Sequence, residues 1–176
     1  VYYEVFEVNG LLNKLVPRQQ IATIYELVLT ELWERGIRGI ITDLDNTLVS
    51  AKTPLATPEL IKWLDELQRL GFKVVVLSNN GEARVSKFAA PLGIPFVYGA
   101  RKPQHAAFRR ALAILELEPE QVVVLGDQLL TDVLGGNRFG LYTVLVQPIA
   151  VAEEGLFTRV NRQIEKLVRR FHKNAW

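Results

Sequence analysis

The sequence predicts a three-layer α/β domain, a mostly parallel sheet with helices on both faces. Three observations predict it. Strand-like apolar runs alternate with helix-like segments from about residue 38 to residue 148. The two VVVL runs, at 74–77 and 122–125, carry no polar alternation, as expected of strands buried on both faces. Polar residues gather directly after the apolar runs, at the strand ends where open α/β sheets bind ligands.

The elements follow in order. Residues 18–35 predict a helix ahead of the first strand. GIRGIITDL predicts a strand near 38–44. TPELIKWLDELQRLG has helical apolar spacing, with Thr57 as N-cap, Pro58 in the first turn and Gly71 as the stop. FKVVVLSN predicts a buried strand near 72–78, GEARVSKFAAPLG a short helix and IPFVYG a short strand. KPQHAAFRRALAILEL predicts a helix opened by Pro103. EQVVVLGD gives a strand near 121–126, QLLTDVLGGNRFG a short helix and LYTVLVQPI a last strand. TRVNRQIEKLVRRF predicts a basic amphipathic helix at about 157–173. Residues 1–176 therefore read as a single domain, without internal repeat or composition break.

Composition narrows the chemistry. A chain of 176 residues with 49% apolar and 23% charged residues suits one soluble domain with a full core. No apolar run is long enough to cross a membrane, and no secretory pattern is present. Cysteine is absent, which excludes disulfides and thiolate metal sites. His105 and His172 are the only histidines, too few for a multi-histidine zinc site. Any metal would sit on oxygen ligands. The expected location is cytoplasmic, or peripheral at the inner face of a membrane. The net charge of +2 hides an asymmetry: residues 158–176 carry six basic side chains against Glu165, and the body is mildly acidic. No nucleic-acid partner is expected.

The strand ends carry a defined set. Asp43 and Asp45 follow the first strand; Ser78, Asn79 and Asn80 the second; Arg101 and Lys102 the third; Asp127, Thr131 and Asp132 the fourth. Magnesium takes a few carboxylates, several waters and a substrate phosphate, so Asp43, Asp45 and Asp127 are its candidate ligands. Lys102 would neutralise a phosphoryl charge, and Ser78 with the amides of residues 79–81 would hold phosphate oxygens. One aspartate can attack phosphorus while a second, two residues on, moves the leaving-group proton. Plainer uses stand beside these. Ser78 and Asn79 also suit a helix cap, which is compatible with phosphate binding. His105 reads as an ordinary helix residue, and Arg101 suits either an anionic substrate or solvent.

With the strings DLDNT at 43–47, Ser78 ending VVVLS, Lys102 in KP, and GDQLLTD at 126–132 in this order, the sequence resembles the haloacid dehalogenase (HAD) superfamily, on its phosphatase side. PRQQIATIYEL, GIRGIITDLDNTLV, LSNN, RKP and GDQLLTDVLGGNRFGLYTVLV further resemble the YqeG-type, subfamily IIIA branch, whose organelle relatives include phosphatidylglycerophosphate phosphatases. The resemblance implies a Rossmann-like HAD fold and a Mg²⁺-dependent phosphatase of phosphate monoesters. It makes Asp43 the nucleophile and a metal ligand. Asp45 becomes the general acid/base, with its backbone carbonyl on the metal. Thr47, Ser78, Asn79 and Lys102 go to the substrate, with Lys102 also catalytic. Asp127 becomes a metal ligand and Asp132 its support. An aspartate at position 45 favours phosphatase or phosphomutase over dehalogenase.

Residues 49–73 and 81–100 leave no room for a cap domain, so the site is expected to be open. An open site suits a phosphate on something large, such as a phospholipid headgroup. Phosphatidylglycerophosphate is the leading substrate expectation. A soluble sugar phosphate or nucleotide, or a scaffold that binds phosphate or metal without turnover, is the alternative. A receiver domain uses similar groups in a different order, with its lysine after the fifth strand. Two uses are open to the C-terminal helix: its basic side on an anionic membrane, or its apolar stripe on the sheet. The apolar, aromatic N-terminal segment has the same two uses.

Overall fold

The computed structural model describes residues 13–53 and 55–150. The expected helix at about 157–173 and most of the apolar N-terminal segment lie outside these residues. Six strands, β1 (Gln19–Ile21), β2 (Gly39–Thr42), β3 (Lys73–Leu77), β4 (Phe96–Val97), β5 (Val122–Gly126) and β6 (Tyr142–Val146), form one sheet. Its order is β1-β6-β5-β2-β3-β4, and every pairing is parallel. The helices are α1 (Leu29–Glu34), α2 (Pro58–Arg69), α3 (Glu82–Ala89), α4 (His105–Leu115) and α5 (Leu134–Arg138).

Strand pleating builds the two outer layers. Neighbouring residues of β2 point to opposite faces. Ile40 packs with α1, α2 and α3 through Leu32, Leu60, Trp63 and Phe88, while Ile41 packs with α4 through Phe108, Ala111 and Leu115. Both faces of the central strands are thus covered, which is why they read as unbroken apolar runs. In α2, the Thr57 side chain accepts from Leu60 N at 3.2 Å and Pro58 opens the helix, as its sequence requires. Gly135 and Gly136 let α5 approach closely. A Cβ at 135 would lie 2.3 Å from Phe108 Cε2, and one at 136 would lie 2.6 Å from Thr143 Cγ2.

Two expectations need correction. The single helix over 18–35 is instead β1, a 3₁₀ turn at Ile24–Glu26 and the short α1. Ile21, Ile24 and Leu27 are buried at a spacing of three, which imitates a helix. Tertiary pairing wins there: β1 covers the outer edge of β6, in register from Gln19 with Val144 to Ile21 with Val146. Pro103 does not open α4 either. A turn closed by Gln104 N to Arg101 O at 3.0 Å comes first, and α4 begins at His105 after Gln104 as its N-cap.

The chain runs outward from β2 to β3 and β4, then crosses back to β5 on the other side of β2. Strand order therefore reverses between β2 and β5, and a crevice opens at their carboxyl ends. Between β2 and β3 the described chain holds a loop and α2. Between β3 and β4 it holds α3 and one 3₁₀ turn. No cap is built over the crevice by these segments.

Phe108 is fully buried between α5 and the sheet. Phe108→Ala should cost about 3–5 kcal/mol of stability, read by urea denaturation.

Candidate active site

The β2–β5 pairing sets the centre. Asp43 N donates to Leu125 O at 2.9 Å, so the ladder continues one residue beyond β2. Asp43 then stands at the lip of the crevice, and Asp127 follows directly on the end of β5. Asp43, Asp127 and Asp132 are all buried, and each offers a carboxylate oxygen within 4.8 Å of the others.

Lys102 enters this cluster from the loop after β4. Its Nζ donates to Asp43 Oδ1 and to Asp132 Oδ1, each at 2.6 Å, with the lysine side chain only 3% exposed. The loop is pinned where it enters, because Lys102 N donates to Asn79 Oδ1 at 2.7 Å. Asp132 also accepts from Gln128 N and Thr131 Oγ1, both at 3.2 Å. Its seat exists because residue 126 is glycine: a Cβ there would lie 2.2 Å from Asp132 Cγ.

Burial pushes the Asp43 carboxyl up to about 6; the Lys102 ammonium works against that rise, and the Asp132 charge adds to it. For Lys102, burial favours the neutral amine, but Asp132 and then Asp43 outweigh it and hold the ammonium above its ordinary range. Three buried carboxylates and one buried ammonium thus meet at this point. The donor set is all oxygen and hard, which fits a divalent cation of the magnesium type. Asp132 is engaged by Lys102 and two further donors, and it forms with Asp43 and Asp127 the carboxylate group that could hold such an ion.

Asp45 stands apart from that cluster. Its Oδ1 accepts from Arg84 Nε at 3.1 Å and Arg84 Nη2 at 2.6 Å, and its Oδ2 from Asn80 Nδ2. Its carboxylate is therefore not in the group formed by Asp43, Asp127 and Asp132. Between the two aspartates and Val49 the chain makes a tight loop. Asn46 takes a left-handed backbone (φ 65°), a conformation asparagine tolerates better than most residues, and its N donates to Val49 O at 2.7 Å.

The other expected residues fall as follows. Ser78 is buried at the end of β3, and its Oγ accepts from Asn80 N at 3.2 Å. That bond uses the Asn80 amide, one of the three expected to meet phosphate. Thr47 and Asn79, expected to touch substrate, both contact groups of the site itself. Thr47 Oγ1 donates to Asp127 Oδ1 at 3.4 Å, and Asn79 accepts from Lys102 N. Three contributors escaped the sequence reading: the side chain of Asn80, Arg84 and Gly126. Arg84 left a signal. It lies in the first turn of α3, the end of a helix where the dipole favours anions over cations.

Lys102→Met should leave the carboxylates without their cation and cost about 3–5 kcal/mol at neutral pH, read by urea denaturation. Gly126→Ala should displace Asp132 and cost about 1–3 kcal/mol in the same measurement.

Similarities to known proteins agree with this geometry. Residues 99–148 match the HAD-hydrolase-like family model. The chain is 52% identical to the probable phosphatase YqeG of Bacillus subtilis (strain 168), over 87% of this chain and 88% of that protein. It is 30% identical to the chloroplastic phosphatidylglycerophosphate phosphatase 1 of Chlamydomonas reinhardtii, over 74% of this chain. This chain spans only 52% of that relative's length. Among solved structures, it resembles the cobalt-bound deoxy-D-mannose-octulosonate 8-phosphate phosphatase of Haemophilus influenzae. The TM-score is 0.53, with 16% identity over 80% of this chain and 92% of that one, a likeness of fold alone.

Proposed function

This chain belongs to the YqeG-type branch of the HAD phosphatases, phosphoric monoester hydrolases, and from that premise we propose a Mg²⁺-dependent mechanism through a phospho-aspartate at Asp43. The observation that carries it is the buried Lys102 bridge between Asp43 and Asp132, beside Asp127. Mg²⁺ would be held by Asp43, Asp127 and the Asp45 backbone carbonyl, and it supplies charge neutralisation for the phosphate oxygens.

The remaining steps belong to the chain's own residues. A carboxylate oxygen of Asp43 attacks phosphorus, and the bond from phosphorus to the ester oxygen breaks. Asp45 gives that oxygen a proton, so the leaving group departs as an alcohol. Asp45 then takes a proton from water as the water oxygen attacks phosphorus. The bond from phosphorus to Asp43 breaks, and inorganic phosphate leaves. Lys102 donates to the transferred group and balances its charge. Ser78 contributes its hydroxyl proton, since its oxygen accepts from Asn80 N. Thr47 and Asn79 act one step back, orienting Asp127 and the Lys102 loop. Asp132 holds Lys102 in place.

The substrate we infer is phosphatidylglycerophosphate, converted to phosphatidylglycerol. Support comes from the crevice, over which the described segments build no cap and which there admits a phosphate borne on a large body, and from the likeness to a phosphatidylglycerophosphate phosphatase. Among the described residues no helix is long and apolar enough to cross a membrane. The contact with a lipid surface that we infer is peripheral, with the basic segment 157–173 as its expected site. Residues 1–176 are proposed to act as one domain.

Asp43→Asn should lower turnover by at least about a thousandfold while the melting temperature stays near that of the parent. Retained turnover in the purified variant would exclude the covalent route. Chelation should abolish phosphate release, and added Mg²⁺ should restore it. In mixed micelles, phosphatidylglycerophosphate should be hydrolysed well above glycerol 3-phosphate, sugar phosphates and nucleotides. Turnover of the soluble esters alone would keep the mechanism and discard the lipid.

A further inference from the structure

Asp45 is held by more groups than a simple surface carboxylate needs. Arg84 presents two N–H groups to a single oxygen, Oδ1, through Nε at 3.1 Å and Nη2 at 2.6 Å. Asn80 presents its amide to the other oxygen, Oδ2. A carboxylate offers about four lone-pair sites, two on each oxygen. Arg84 fills both on Oδ1, and Asn80 fills one on Oδ2. The remaining acceptor position of the group lies on Oδ2.

Arg84 is itself anchored away from Asp45. Nη2 also donates to Ser50 O at 3.4 Å and Thr53 O at 3.1 Å. The guanidinium thus ties together three stretches of chain: the loop carrying Asp45, the turn at 50–53 and the first turn of α3. Asn80 is fixed in turn, because its N donates to Ser78 Oγ at 3.2 Å and its O accepts from Gly99 N at 2.8 Å. The ion pair is mostly buried, with side chains 21% and 13% exposed. A cation at a helix N-terminus is electrostatically misplaced unless an anion repays it. Asp45 does so.

We propose that Arg84 is a positioning residue for proton transfer by Asp45. It locks the carboxylate so that Oδ2 is the edge presented to the leaving-group oxygen and then to water. This rests on the acid/base role given to Asp45 above. The rival role is direct binding of substrate through Arg84 Nη1, which is buried without a hydrogen-bond partner among the described residues. The two roles predict different kinetics.

The test uses p-nitrophenyl phosphate and phenyl phosphate, whose leaving groups differ in basicity but little in shape. Arg84→Ala should lower kcat for phenyl phosphate by roughly 10- to 100-fold, part of what general acid catalysis supplies, with KM within about twofold. With p-nitrophenyl phosphate the first step needs no proton. The variant should release a burst of p-nitrophenol, then turn over slowly as acid-quenched samples show phosphorylated enzyme accumulating. Asp45→Asn should behave alike, and Asp45→Asn with Arg84→Ala should be no worse than Asp45→Asn alone. Free guanidinium should restore Arg84→Ala and leave the double variant unchanged. Arg84→Lys keeps a charge on Asp45 without the fork, and it should fall between parent and alanine. That variant serves if alanine does not fold.

Losses that add in the double variant would overturn the inference, as would a raised KM with kcat preserved, which would assign Nη1 to the substrate. Parent-like kinetics in both Arg84 variants would do the same. Full activity in Asp45→Asn would instead remove the role of Asp45, and the inference with it.

Discussion

The site depends on the Lys102 ammonium set between two buried carboxylates. Carboxylates so close together inside a protein repel one another and lose their hydration. Asp43 shows the strain by holding its proton to about 6. Lys102 reduces that cost at 2.6 Å from both Asp43 and Asp132. Much of the surrounding structure delivers the lysine to that point. Asn79 grips its backbone amide, Arg101 before it takes a left-handed backbone, and Gly126 leaves the space in which Asp132 meets it.

The segment after β3 organises both halves of the chemistry. In LSNNGEAR, Ser78 lies at the crevice and Asn79 holds the Lys102 loop, while Asn80 and Arg84 hold Asp45. Eight consecutive residues thereby connect the phosphoryl-transfer centre to the proton-transfer group. Such positioning matters because the catalytic groups must already point the right way when substrate arrives. Among the described residues no cap covers the crevice, and this built-in network supplies the order of the catalytic groups there.

The parallel architecture was legible because burial on both faces leaves unbroken apolar strands such as 74–77 and 122–125. The candidate aspartates and Lys102 were legible because each follows such a run. The N-terminal region misled for a physical reason. Ile21, Ile24 and Leu27 repeat every three residues, yet β1 forms there because the β6 edge offers a partner 125 residues away in sequence. No local pattern reports that offer. The contact of Thr47 with Asp127 was not legible for a similar reason: the two residues are 80 positions apart.

The sequence by itself determined which chemistry the chain carries: oxygen ligands only, paired aspartates, and a lysine at a strand end. Those are properties of residue type and order along the chain. Tertiary structure alone decided how the groups divide. It put Asp43, Asp127 and Asp132 together, turned Asp45 aside to Arg84 and Asn80, and sent Asn79 to Lys102. Residues 45 and 84 are 39 positions apart and meet only because strand order reverses at β2 and α3 starts beside the crevice. Contacts of that kind depend on distances in space that residue order does not encode locally.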